Sequence, residues 1–77
     1  NGSLFIAVTA ANEIWIDRRE TNIDGVRAAI ERLSAENPEA GVVIQADLEA
    51  SNSFVISVMD SAKAAGVTNI IIAATVL

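Results

Sequence analysis

FVISVMDSAKAAGVTNIIIAATV, residues 54–76, reads as a helix, a glycine stop and an apolar strand in immediate succession. Phe54, Val55, Val58, Met59, Ala62 and Ala65 recur at offsets of one, three and four, one face of a 3.6-residue helix. Ser57, Asp60, Ser61, Lys63 and Ala64 fall on the other side. Gly66 stands where a left-handed C-cap residue is needed, a conformation that glycine takes without a Cβ clash. Asn69 then leads into Ile70, Ile71 and Ile72, three β-branched residues with no polar residue between them. Such a run suits a strand covered on both faces or a strand at a protein interface. Only Val67, Thr68 and Asn69 connect the two elements, so the helix must fold straight back onto the sheet.

Outward from that unit, residues 42–46 (VVIQA) read as a central strand, and residues 47–53 as a polar, irregular connection. Ser51, Asn52 or Ser53 is expected to cap the following helix. Further upstream, Ile23, Val26, Ile30 and Leu33 present one apolar helical face. Thr21-x-x-Asp24 resembles a capping box at the start of that helix, with Asp in place of Glu. Arg27–Glu31 and Arg32–Glu36 are opposite charges four residues apart on its outer side. Asn37-Pro38 ends it, because the residue before proline is disfavoured in the α region. Residues 4–9 (LFIAVT) and 14–17 (IWID) are two strands that pair as a hairpin. Alternation puts Ile14 and Ile16 on one face of the second strand and Trp15 on the other. Arg18, Arg19 and Glu20 read as a charged loop, and Asn1-Gly2-Ser3 as a cloning remnant.

The expected fold is therefore α/β (α+β), in the order β-β-α-β-α-β over residues 4–77. The last β-α-β unit is a right-handed parallel crossover. Each helix has one apolar face, so both should lie on one face of a mixed sheet, leaving Trp15 on the other.

At 77 residues the chain is one small domain, and 4% aromatic content makes its core aliphatic. No Cys and no His exist to bind zinc in the usual way, and no cofactor motif is visible. A net charge of −5 argues against nucleic acid and against an anionic membrane surface as partners. The longest apolar run, residues 70–77, is far below the roughly 20 residues that cross a bilayer.

Asp47 and Glu49 sit at the end of the third strand, where active sites of open α/β sheets are found. A metal or acid–base role and a plain turn-capping role are both open there. Trp15 reads as a partner anchor or as cover for the sheet, and Arg18-Arg19 as an anion clasp or as solvated charge. Ile70, Ile72 and Ala74, or their alternate neighbours, read as the strand that pairs with another chain if this strand is an edge.

A family resemblance goes further. The strand end Val43-Ile44-Gln45-Ala46-Asp47 is followed by a short polar loop and by Val58-Met59-Asp60-Ser61-Ala62-Lys63-Ala64-Ala65-Gly66-Val67. This resembles the periplasmic domain of the ExbD/TolR family, with its I-x-A-D strand end, its amphipathic helix closing on A-G-[VY] and its final apolar strand. Val8-Thr9 through Asn12 to Ile14-Trp15-Ile16 resembles the family's first hairpin, and Asn37-Pro38 its NP or KP loop. The resemblance covers residues 4–76 and leans to ExbD-like members through Val58-Met59-Asp60. It departs where the family often carries a basic residue after the aspartate and this chain has Leu48.

The resemblance implies a non-enzymatic, dimeric domain on the periplasmic face of the bacterial inner membrane. It also implies a transmembrane helix before residue 4 whose aspartate handles protons beside an ExbB/TolQ-like channel, so no residue of this chain carries that role. ExbD-like members engage a TonB-type transducer, and TolR-like members engage peptidoglycan. A small enzyme fragment built on Asp47 and Glu49 is the alternative from another class.

Overall fold

The computed structural model describes residues 2–77. Five strands and two helices follow the order β1 (Ser3–Val8), β2 (Ile14–Ile16), β3 (Arg19–Thr21), α1 (Ile23–Glu36), β4 (Gly41–Asp47), α2 (Asn52–Ala64) and β5 (Ile70–Thr75). The strands form one mixed sheet in the order β3-β2-β1-β4-β5. β1 is antiparallel to β2, and β2 to β3, while β4 runs parallel to both β1 and β5. The α+β architecture expected from the sequence is thus observed, with one strand more than expected.

That extra strand is β3. Arg19 and Glu20, read from the sequence as loop, pair with Ile16 and Trp15. Asp17 and Arg18 connect the two strands with φ of 54° and 65°. Positive φ at both central residues is what a two-residue type I′ hairpin requires, usually met by Asn-Gly. Here two side-chain-bearing residues adopt it, and the turn left no glycine signal to read.

Alternation along the strands sorts the sheet into two faces. Ile6, Val8, Ile14, Ile16, Val42, Ile44 and Ala46 are buried on the helix side. Val26, Ile30 and Leu33 of α1 and Val55, Val58 and Ala62 of α2 meet them. Phe54, Met59 and Ala65, placed by periodicity on the same face of α2, are only partly buried at its margins.

The caps differ in detail from the expectation. Asn22, one residue after Thr21, is the N-cap of α1, and its side chain accepts a hydrogen bond from the Gly25 N–H at 3.0 Å. Arg27 pairs with Glu31 at 3.3 Å, and this is the one ion pair among the described residues; Arg32 and Glu36 do not pair. Ser51 is the N-cap of α2, and its N–H donates to the Asn12 side-chain oxygen at 2.9 Å, tying the β1–β2 turn to the helix start. Gly66 has φ of 98°, its N–H donates to the Lys63 carbonyl, and the Val67 N–H donates to the Ala62 carbonyl. This is a Schellman closure, with buried Val67 as its apolar contact.

Gly41 opens β4 under a different constraint. A Cβ there would lie 2.8 Å from the Asn69 carbonyl oxygen, and that oxygen accepts the Val42 N–H at 2.8 Å. The clash is with backbone at the first β4–β5 bond, so it cannot be relieved by a rotamer change. Gly41→Ala is expected to lose about 1–3 kcal/mol, read as a lower urea midpoint with amide shifts concentrated at residues 68–71. A midpoint at or above that of the parent would show that the backbone gives way freely.

Candidate interaction surface

β5 is one outer strand of the sheet, and β3 is the other. The two edges are unlike. β3 is three residues long and carries Arg19 and Glu20, so it offers little to a pairing strand. β5 is six residues long, IIIAAT, with Ile71 56% and Ile72 43% exposed.

The direction of its main-chain groups follows from the register. The Val42 N–H donates to the Asn69 carbonyl at 2.8 Å, and the Leu48 N–H donates to the Thr75 carbonyl at 2.9 Å. In a parallel ladder the residues facing the neighbour alternate. Ile71, Ala73 and Thr75 therefore direct their N–H and C=O toward β4, and Ile70, Ile72 and Ala74 direct theirs away from the sheet. The side chains of these three residues point to the helix side, opposite Val42, Ile44 and Ala46. Ile70 packs against the core, whereas Ile72 and Ala74 are exposed because the helices do not reach over the edge. Ile71, Ala73 and Thr75 lie on the open face.

Trp15 is elsewhere. β1 and β4 intervene between β2 and β5, about 14 Å at the usual strand spacing. Its ring is on the open face beside Ala7, 38% exposed, and its Nε1 makes a long 3.4 Å bond to Glu13. The structure does not bring Trp15 together with Ile70, Ile72 and Ala74. It surrounds Trp15 instead with Phe5, Ala7 and Gln45. Alternation within residues 4–9 carried the signal for Phe5 and Ala7, since Ile6 and Val8 fill the opposite face.

Asp47 closes the far end of β5. One carboxylate oxygen accepts the Glu49 N–H at 2.9 Å and the other accepts the Leu77 N–H at 2.9 Å. These two donors, Glu49 first, hold its pKa below the ordinary aspartate value against a smaller desolvation effect. Asp47 thus caps the β4–α2 loop and fastens the chain just after β5. Glu49 is exposed beside it. Among the described residues no three His, Cys, Asp or Glu side chains gather to hold a metal ion.

A depressed folded-state pKa contributes stability that is present above the ordinary carboxylate range and lost as pH falls through the folded value. Acidification below about pH 4 is therefore expected to loosen this end of β5. Asp47→Asn should flatten the acid limb of a stability–pH profile and speed amide exchange at Leu77; an unchanged acid limb would show that the two bonds contribute nothing.

A known family matches nearly the whole chain. The family model described as biopolymer transport protein ExbD/TolR matches residues 2–76. The chain belongs to the ExbD/TolR family. One relative, from Vibrio cholerae serotype O1 and named biopolymer transport protein exbD2, is 49% identical over 71 residues. That match takes in 92% of this chain and 53% of the relative, so the chain spans about half the length of the curated relative it matches. The ExbD-like lean of Val58-Met59-Asp60 agrees with this relative's name. No helix among the described residues is long and apolar enough to cross a membrane.

Proposed function

We propose that this domain is the periplasmic part of an ExbD-type component that converts proton motive force into work at the outer membrane. In this reading it dimerises and takes up an extended segment of a TonB-type energy transducer. The observation that carries it is the free edge of β5, where Ile70, Ile72 and Ala74 direct unpaired N–H and C=O groups outward. An extended chain adds to such an edge through main-chain hydrogen bonds, with side-chain contacts such as Ile72 supplying selectivity. The 49% identity to a protein named exbD2 supports the ExbD-type assignment over a TolR-type one.

The remaining half of the full-length protein would hold the domain at the periplasmic face of the inner membrane through a single transmembrane helix. That helix would also make the contact with an ExbB/TolQ-like channel and carry the proton-handling residue.

The test is a titration of the nitrogen-15-labelled domain with a peptide from the periplasmic linker of a TonB-type protein of the same source. Amide shifts concentrated on residues 70–76 are expected. No shift at millimolar peptide would sink the transducer reading for the isolated domain and move the weight to a TolR-like role on peptidoglycan. Light scattering at rising concentration is expected to reveal reversible self-association in the absence of peptide, because pairing with a second copy and with the transducer segment use the same β5 edge in turn. A strict monomer throughout would count against dimerisation.

A further inference from the structure

β1 extends past the end of β2. The two strands pair only from Ile6↔Ile16 to Val8↔Ile14, and beyond Ile16 the chain swings away through the Asp17-Arg18 turn. The Thr9 N–H donates to the Glu13 carbonyl at 2.9 Å, which sets the alternation: Thr9, Ala7, Phe5 and Ser3 face the β2 side. Toward β4 the first half of β1 is fully laddered, from Ser3↔Gly41 to Phe5↔Val43. Toward β2, the N–H and C=O of Ser3 and Phe5 point into a gap where the sheet lacks a strand. A groove of about 510 Å³ occupies that gap.

The groove is built for a chain rather than for a compact ligand. Its length runs along exposed main chain. Phe5 and Trp15 wall its open-face side, and Leu33 its helix side. An extended segment lying there would send alternate side chains to these two apolar walls. Its rim holds the carboxylates of Asp17 and Glu36 against a single cation, Arg18. Neither carboxylate is in an ion pair. A second copy of this acidic chain, at −5, is electrostatically the wrong occupant.

We infer that the groove beside Ser3 and Phe5 is a second strand-addition site, which accepts a short extended segment of a partner protein in which basic and apolar residues alternate. Apolar residues lie against Phe5 and Trp15. Basic residues on the alternate side run their alkyl stems over Leu33 and reach Glu36. This site is separate from β5, four strand positions across the sheet counting both ends, and does not rest on the transducer reading.

The probe is acetyl-Lys-Val-Lys-Val-Lys-amide, titrated into the nitrogen-15-labelled chain, with the Glu-for-Lys peptide as control. Saturable shifts are expected at the amides of Ser3 and Phe5 and at the Trp15 indole, with slowed exchange of the Ser3 and Phe5 amides. The acidic control should leave them in place. Glu36→Gln should weaken the lysine peptide about two- to fivefold, the worth of one exposed charge pair, without changing the urea midpoint. Three results would each overturn the inference: no saturation at Ser3 and Phe5, equal response to the acidic peptide, or shifts confined to residues 70–76.

Discussion

Ala74→Pro is expected to leave the domain folded and to weaken strand addition at β5 tenfold or more. The N–H of Ala74 points away from β4, so the domain's own ladder does not use it. Proline is tolerated on edge strands where the missing donor faces solvent. An added strand, in contrast, loses that hydrogen bond and meets the pyrrolidine ring in its path. Ala73→Pro supplies the comparison one residue away. Its N–H faces β4, so the change removes a ladder bond and leaves a β4 carbonyl unpaired, an expected loss of about 1–3 kcal/mol. Urea unfolding and peptide titration of both variants separate the two effects. Undiminished peptide binding by the folded Ala74→Pro domain would eliminate β5 as the pairing strand.

The largest stability effect is expected at Ile44. This residue is fully buried at the middle of β4, between Ile6 of β1 and Ile72 of β5, on the face that both helices cover. Truncation to alanine removes its contacts with the layer above and leaves a cavity, with a typical loss of about 2–5 kcal/mol. A domain of this length has a total stability of about 4–12 kcal/mol at the usual share per residue. Ile44→Ala should therefore shift the urea midpoint by about a sixth of its value or more and populate unfolded chain at moderate temperature. A loss below about 1 kcal/mol would contradict a core centred on β4. Ile72→Ala is the control, since its partial exposure predicts a much smaller loss.

The elements that the sequence announced are those with a redundant signal. α2, Gly66 and β5 combined helical periodicity, a left-handed cap and a β-branched run, and all three stand where they were read. β4 was bracketed by Gly41 and Asp47 and extends one residue further at each end than the apolar run. β3 was missed because its residues are charged and its turn contains no glycine; pairing with Ile14–Ile16, not propensity, makes it a strand. Thr21 lost the capping role to Asn22 because the helix begins one residue later, where the Asn22 side chain can reach the Gly25 N–H. The surface was less legible than the core. Residues 70, 72 and 74 were named together with their alternate neighbours, because an unbroken apolar run does not say which parity faces outward. That β5 is an edge, and that Trp15 is remote from it, depended on strand order, which local pattern does not encode.

The unequal edges of the sheet limit how many molecules can join. A lattice or fibre needs each copy to offer at least two contacts that fit another copy. Along the strand-stacking direction only β5 does so, because β3 is short and charged and the acidic rim of the groove beside Phe5 repels a second chain at −5. Two copies meeting along β5 would expose only their short, charged β3 strands at either end. Growth would stop there, and an assembly paired through β5 would hold two copies. An edge left open for a partner would then not also be a route to aggregation.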